Sequence, residues 1–245
     1  RHTTHQTSSI PWALCCGTLL LSLMGCEEPP VDNDGDGFTM DDGDCNDNDA
    51  AIHPGAIESC DGEDRNCDTV AQCNLAGVSA GANHSCGLND EGALICWGSN
   101  GQGQSEPPDG IFTQVSSGDS YSLALDAEGL TVLWGFHSDG HSSAPEVPFV
   151  QVSAGVENGC GIDFNASVHC WGDNGEGQSD PPEGSFIQVS AGWFHTCGTS
   201  SSGEAICWGY DTDGQSSTPS STFRQVSAGR FHSCGIDDSG ALQCW

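Results

Sequence analysis

Three aspartates near the N-terminus have the spacing of a cation-binding loop. Asp32, Asp34 and Asp36 alternate with other residues, and Gly37 stands at the sixth loop position, where a calcium loop makes its sharp turn. Alternating carboxylates can converge on one hard cation, and the cation relieves the repulsion among them. We therefore predict that this loop binds Ca²⁺ as a structural ion.

The loop departs from an EF-hand at the residues that would complete the set of ligands. Gly43 occupies the twelfth position, where an EF-hand has a bidentate Glu, and no helical pattern flanks the loop. Other carboxylates could replace that Glu, and we include four of them among the predicted ligands: Asp41, Asp42, Asp44 and Asp47. The alternative is an acidic spacer without metal, because dense like charge disfavours folding.

Eight cysteines further along the chain recur in pairs that are ten residues apart. The pairs are Cys86 with Cys96, Cys160 with Cys170, Cys197 with Cys207, and Cys234 with Cys244. In an antiparallel hairpin with a three-residue loop the two cysteines face each other at a Cα separation of roughly 4.5 Å, which a disulfide can span. A fifth copy replaces both cysteines by leucine, which favours four disulfides over the alternative of zinc ligands.

These hairpins belong to a repeat whose period is 37 residues, as the positions of the recurring tryptophans show: Trp97, Trp134, Trp171, Trp208 and Trp245. Short β-branched and aromatic runs bounded by Gly predict three strands in each unit. We place the repeats at residues 75–111, 112–148, 149–185, 186–222 and 223–245. One position in the unit holds His84, Tyr121, Asn158, His195 and His232, for which we predict hydrogen bonds between neighbouring units rather than a metal site.

The charge balance excludes several classes of function. The chain has 35 acidic and 4 basic side chains, a net charge of −31, and no lysine. No P-loop lysine or Schiff-base lysine can be present in this sequence. Nucleic acid and anionic lipid are poor partners for such a chain. Cations, basic proteins and neutral ligands such as glycans remain compatible with its charge.

The N-terminal residues predict export. Residues 10–25 form an apolar run that is short for a membrane span, and it leads into Cys26 as "LMGC". This ending resembles the lipobox of bacterial lipoproteins, which implies a signal peptide at residues 1–25, an acylated Cys26 and a linker to residue 31. A plain secretory peptide is the alternative. We expect a bacterial cell-envelope or surface protein, held at the membrane only by its lipid, or a secreted one.

Two parts of the chain resemble known families. The pattern VSAGxxHSCGxxxxGxxxCWGxNxxGQ resembles the repeats of the regulator of chromosome condensation family, in their short, cysteine-containing bacterial form. The resemblance implies an all-β fold, a β-propeller of 37-residue blades with three or four strands each. We expect the five repeats at residues 75–245 to form part of a seven-bladed ring; a closed five-bladed ring is the alternative.

Residues 32–73 resemble the acidic metal-binding repeat of bacterial surface proteins. That resemblance implies two disulfides among four cysteines, for which three pairings are open: Cys45, Cys60, Cys67 and Cys73.

No catalytic constellation stands out from the repeat pattern. We therefore predict a binding module for a protein or glycan, carried on a Ca²⁺-binding stalk, and not an enzyme. Loops that depart from the repeat supply the candidate binding residues: Phe136, His137, His141 and Tyr210. The alternatives are a polysaccharide hydrolase or lyase with a site at the propeller centre, and an inhibitor of a secreted enzyme.

Overall fold

The computed structural model describes residues 30–56, 63–69, 75–136 and 144–245. In this part of the chain, residues 75–245 form five three-stranded antiparallel sheets, each made of consecutive strands. The strands are β1 (Leu75–Ala80), β2 (His84–Asn89), β3 (Leu94–Gly98), β4 (Phe112–Ser117), β5 (Tyr121–Asp126), β6 (Thr131–Gly135), β7 (Phe149–Ala154), β8 (Asn158–Asp163), β9 (Val168–Gly172), β10 (Phe186–Ala191), β11 (His195–Ser200), β12 (Ala205–Gly209), β13 (Phe223–Ala228), β14 (Ser233–Asp237) and β15 (Leu242–Cys244).

Each sheet is one blade and coincides with one sequence repeat, so the all-β propeller fold is confirmed, with three strands in a blade. The acidic segment contains a short 3-10 helix, Met40–Asp42. Among the described residues, none of the helices is long and apolar enough to cross a membrane.

The hairpin of each blade has the register that the cysteine spacing predicts. Cys86 lies opposite Cys96, and the other three pairs repeat this arrangement. All four pairs are disulfide-bonded, with Cα separations of 4.0 or 4.1 Å. In the second blade Leu123 lies opposite Leu133 instead. Ala166 takes the left-handed position that Gly holds in the other hairpins, at φ 65°, which costs backbone energy that a glycine avoids.

The hydrophobic core lies between blades. A layer between the third and fourth blades joins Cys160 and Ile162 of one to Phe186, Val189 and Trp208 of the next. Three similar layers fill the other contacts between consecutive blades. Successive side chains of a strand point to opposite faces of the sheet. Because each sheet is apolar on both faces, each face must be covered by a neighbouring blade.

The repeated glutamine of each first strand ties one blade to the next. Gln151 donates from Nε2 to the carbonyl of Val189 at 2.7 Å and accepts from the Val189 N–H at 2.8 Å. Gln114 and Gln188 bind the next blade in the same way. The amide therefore satisfies a backbone donor and acceptor that the three-stranded sheet leaves without a partner strand.

We expect Gln151→Ala to lower the free energy of unfolding by about 2–3 kcal/mol, because it leaves both Val189 groups unpaired at a buried position. Chemical denaturation measures this change. Gln225→Ala is the matched control, since Gln225 holds the same repeat position in the last blade but is exposed. A similar loss in both variants would contradict the role of the amide as a link between blades.

The position shared by His84, Tyr121, Asn158 and His195 also links blades, as the sequence predicts. His84 Nε2 lies 2.7 Å from Ser122 Oγ, and the Tyr121 hydroxyl donates to the Asn158 carbonyl at 2.6 Å. Asn158 and His195 contact Thr196 and Ser233 of their next blades. These side chains thus serve blade assembly.

The five blades form an arc. Contacts join the first strands of consecutive blades, β1 to β4, β4 to β7, β7 to β10 and β10 to β13; in the described residues no contact of similar extent joins the last blade to the first. Apolar side chains are exposed at both ends, with Val78 66% and Trp97 45% exposed in the first blade and Leu242 69% exposed in the last. The arrangement agrees with part of a larger ring rather than with closure at five blades.

Candidate metal site and binding face

The aspartate loop brings three predicted ligands together. Carboxylate oxygens of Asp32, Asp34 and Asp36 all lie within 4.8 Å of one another. Asp32 holds the loop closed, because its two oxygens accept the N–H groups of Gly35 at 2.7 Å and Gly37 at 3.1 Å. Both glycines have positive φ, 85° and 98°, so the turn that the DxDxDG pattern predicts is formed.

Three buried carboxylate oxygens in this segment have no hydrogen-bond partner among the described residues: Asp34 Oδ2, Asp36 Oδ2 and Asp44 Oδ2. Asp44 is only 2% exposed. Partial burial and the neighbouring carboxylates of Asp36, Asp44 and Asp32 raise the pKa of Asp34. Buried unpaired carboxylates are costly, and a bound cation would remove that cost. The donor set consists of hard oxygens and therefore fits a cation such as Ca²⁺.

The remaining predicted ligands lie outside this cluster. Asp47 lies beside the loop, where its Oδ1 accepts the Asn33 N–H at 3.3 Å and its Oδ2 accepts the Asn33 side-chain amide at 2.5 Å. Asp42 accepts the Thr39 hydroxyl at 2.7 Å, and Asp41 is exposed in the 3-10 helix. The structure therefore gathers Asp32, Asp34 and Asp36 at the site, with Asp44 close enough to affect the pKa of Asp34.

A disulfide closes the acidic segment on itself. Cys45 is bonded to Cys67 with a Cα separation of 5.6 Å, which selects one of the pairings that the sequence leaves open. Cys60 and Cys73 lie outside the described residues. The His53 N–H donates to the Arg65 carbonyl at 2.9 Å, and the His53 ring stacks on Phe38 with centroids 5.2 Å apart. These contacts connect the aspartate loop to the second half of the segment.

One end of the propeller carries residues that differ from blade to blade. Here the turn after each first strand meets the loop after each third strand: the N–H groups of Phe136, Asp173 and Tyr210 donate to the carbonyls of Ser120, Glu157 and Phe194. We call this end the turn face. A central cavity of about 240 Å³ opens among the five turns. The turn residue that follows the repeated glycine differs in every blade: Ala82, Asp119, Val156, Trp193 and Arg230.

Four aromatic rings form a connected cluster on the turn face, and we call Trp193, Phe194, Tyr210 and Phe231 the aromatic cluster. Phe194 stacks on Trp193 and on Phe231, with centroid distances of 5.3 and 5.8 Å, and lies 6.1 Å from Tyr210. The Arg230 guanidinium lies 3.4 Å from the Trp193 ring centroid and 5.0 Å from that of Phe231. Phe231 is 43% exposed, so the cluster presents apolar surface to solvent.

A second cavity, of about 190 Å³, lies beside Phe136 on the turn face and includes Asp119 and Glu157 in its wall. Phe136 is 50% exposed. Two of the predicted binding residues, Phe136 and Tyr210, therefore lie on this face, whereas His137 and His141 fall outside the described residues. The sequence reasoning missed Trp193, Phe194, Arg230 and Phe231; variation at these turn positions within a strict repeat was the signal that could have found them.

A histidine and serine pair inside the propeller resembles part of a catalytic triad but lies in the wrong environment. His195 Nε2 is 2.8 Å from Ser233 Oγ, and that hydroxyl also lies 2.8 Å from the Gln215 carbonyl. Both residues have 0% exposure. Burial, together with the nearby His232, lowers the pKa of His195 to about 4, although Asp211 acts in the opposite direction. The pair is buried between blades, where no substrate can reach it.

We expect acid to destabilise the propeller through His195. Its pKa is lower in the folded state than in the unfolded state, so the unfolded chain binds more protons between pH 6.5 and 4. The contribution of the neutral His195 to the free energy of unfolding is intact above pH 6.5. It falls by up to about 3 kcal/mol as the pH decreases toward 4. Melting temperatures across this range measure it. His195→Asn introduces the residue that the third blade has at the same repeat position, Asn158, and should flatten the dependence of melting temperature on pH. An unchanged pH dependence would contradict the assignment of this effect to His195.

Comparison with known families identifies both parts of the chain. Residues 76–104, 149–178, 186–215 and 223–245 match the family model described as regulator of chromosome condensation (RCC1) repeat. Residues 44–71 match a model described as "Putative metal-binding motif". The chain therefore contains RCC1 repeats preceded by a metal-binding motif. No curated protein matches the chain.

Solved structures agree with the propeller assignment. The ectodomain of the Physcomitrella patens receptor kinase CR4 is 28% identical with a TM-score of 0.63, covering 71% of this chain and 52% of that one. The CRINKLY WD40 ectodomain of Arabidopsis thaliana ACR4 is 26% identical with a TM-score of 0.60, covering 71% and 64%. Prp20p of Saccharomyces cerevisiae, at 16% identity and a TM-score of 0.60, shares the fold and covers 69% and 56%. The chain thus spans about half to two thirds of the length of these proteins.

Proposed function

We propose that this protein is an exported binding module, in which an RCC1-repeat propeller holds a protein partner on its turn face and an acidic segment is folded by Ca²⁺. One observation carries the proposal. The repeated polar residues connect the blades, whereas the residues that vary between blades include an exposed aromatic cluster at one end. Aromatic residues and arginine are enriched where proteins bind each other.

Capture of partners by the immobilised full chain tests the binding role. The candidates are the surface and secreted proteins of the source cells, alongside an array of neutral glycans. We expect a protein to be retained by the wild type and lost in Phe231→Ala. Phe164→Ala is the matched control, because Phe164 is also exposed, at 70%, but lies in the β8–β9 turn at the opposite end of its blade. Equal retention by both variants would contradict binding at the turn face.

The metal-binding role is supported by the orphaned oxygens of Asp34, Asp36 and Asp44. When bound, Ca²⁺ would supply positive charge to these carboxylates, and the residues would hold the loop in its closed form. We expect calorimetry to detect Ca²⁺ binding that Asp34→Asn with Asp36→Asn removes. Asp90→Asn, in an exposed hairpin turn, should bind as the wild type does.

Copper is the competing metal to test, because the affinity of a given site for divalent first-row ions is usually highest for Cu²⁺. Titration with Cu²⁺ distinguishes it from Ca²⁺. Protection of residues 32–73 from protease in Ca²⁺, but not in chelator, would support a folded stalk; equal cleavage in both conditions would contradict it.

Export and lipid anchoring belong to the same proposal and rest on two features. Disulfides persist in oxidising compartments, and the hairpin pairs are oxidised in every blade that has them. The "LMGC" sequence that ends at Cys26, outside the described residues, is the second feature. We expect metabolic labelling of the full-length precursor in a bacterial host to place a fatty acid on the protein, and Cys26→Ala to abolish the label. If the wild type is secreted without the fatty-acid label, the lipid anchor is excluded and export alone is supported.

A further inference from the structure

We propose that the aromatic cluster docks a basic, partly apolar segment of a partner protein, with a Lys or Arg side chain of that segment in the cavity beside Phe136, Asp119 and Glu157. This inference rests on the proposed binding function and specifies the class of partner.

The aromatic cluster supplies the apolar part of the surface. Its rings are already stacked on one another, so little side-chain freedom is lost when a partner covers them. Trp, Tyr and Arg are the residues that most often dominate binding energy in protein interfaces. Arg230 lies over Trp193 at 3.4 Å and can still donate to a carbonyl or carboxylate of the partner, because its guanidinium has five N–H groups.

The neighbouring cavity supplies the negative charge. Asp119 and Glu157 come from the second and third blades and share its wall with the exposed ring of Phe136. Asp119 Oδ2 accepts the Ser120 hydroxyl at 2.8 Å, and neither carboxylate forms an ion pair with another described residue. Two carboxylates beside an aromatic face attract a cationic side chain both by charge and by the ring quadrupole.

Opposite charges lie at the aromatic cluster and at the cavity beside Phe136. Arg230, in the fifth blade, lies beside the aromatic cluster and repels a cation there. Asp119 and Glu157, in the second and third blades, attract a cation. A bound segment should therefore place apolar side chains on the aromatic cluster and its Lys or Arg beside Phe136. The net charge of −31 favours the same partners over a longer range, because it accelerates the approach of basic proteins.

The experiment uses two synthetic peptides with the full disulfide-bonded chain. One peptide has repeated Lys-Leu-Gly units, and the other has Glu in place of every Lys. Fluorescence anisotropy measures both affinities at low and at high salt. We expect the Lys peptide to bind and the Glu peptide not to bind. Asp119→Asn with Glu157→Gln should raise the Kd for the Lys peptide about tenfold and reduce its salt dependence.

Asp90→Asn with Glu91→Gln is the matched control. It changes the net charge equally but alters an exposed hairpin turn at the opposite end of the first blade, so we expect an unchanged Kd. Equal weakening in both double variants would overturn the proposal in favour of unspecific attraction to an acidic surface. Binding of neutral glycans on the array, without binding of the Lys peptide, would overturn it in favour of a sugar ligand. Melting curves of each variant check that the propeller is folded.

The two proposals can fail separately. A captured protein that is lost in Phe231→Ala, combined with no preference for the Lys peptide, would refute the basic segment and leave the binding function standing. Absence of any partner that depends on Phe231 would refute the binding function itself.

Discussion

Replacing all four hairpin disulfides by alanine pairs is expected to lower the free energy of unfolding by about 10 kcal/mol. Each bridge spans ten residues of sequence, and a loop of this length corresponds to about 2–3 kcal/mol. A typical domain is stable by only about 5–15 kcal/mol. We therefore expect the variant to be largely unfolded, as measured by circular dichroism and by denaturation of single-pair variants.

The second blade provides the control for this prediction. Its Leu123 and Leu133 hold the cysteine positions, and Leu123 is fully buried. Cys160→Leu with Cys170→Leu should therefore recover part of the loss caused by Cys160→Ala with Cys170→Ala, because leucine replaces the buried apolar contact without the cross-link. Equal stability of the alanine variant and the wild type would show that the bridges contribute nothing to the fold.

Phe186→Ala is expected to cost about 3–5 kcal/mol, the largest effect of a single substitution. The ring is 1% exposed and lies between two blades, where it contacts Trp208 with centroids 6.1 Å apart. Its removal leaves a cavity that the two sheets cannot close, since the Gln151 and Gln188 amides hold the neighbouring strands in place. Chemical denaturation measures the change.

The matched control for Phe186 is another phenylalanine. Phe164 is 70% exposed, so Phe164→Ala should change the free energy of unfolding by about 0.5 kcal/mol or less. Comparable losses in both variants would place the stabilising apolar contacts outside the layers between blades.

Repeated and variable residues of the unit have different roles, which indicates where a binding site can lie. Phenylalanine, glutamine and tryptophan recur because each blade must pack on and bond to its neighbour. The residues after the repeated glycine, among them Asp119, Trp193 and Arg230, line the central cavity. The hydrogen bond from Trp193 to the next blade uses its backbone N–H and so does not depend on the side chain. These residues can differ between blades without loss of the fold, which makes the turn face the place for recognition.

The blade and its chemistry can be predicted from the amino-acid sequence. A period of 37 residues, paired cysteines ten apart and alternating apolar residues predict a three-stranded hairpin sheet, because strand geometry has a period of two and a disulfide tolerates only a short Cα separation. The Asp32, Asp34 and Asp36 spacing likewise predicts a cation loop, since a local turn needs no distant contact. These features are encoded within short stretches of chain.

Contacts between residues that are far apart in the chain are seen only in the folded protein. Trp193, Phe194, Tyr210 and Phe231 become one surface only because the fourth and fifth blades pack side by side. In the same way, Cys45 meets Cys67 across 22 residues, and Asp47 accepts the side-chain amide of Asn33, a residue of the aspartate loop, across 14 residues. No local pattern specifies such contacts, because they depend on the angle and spacing between units, which the packing of side chains between the sheets sets.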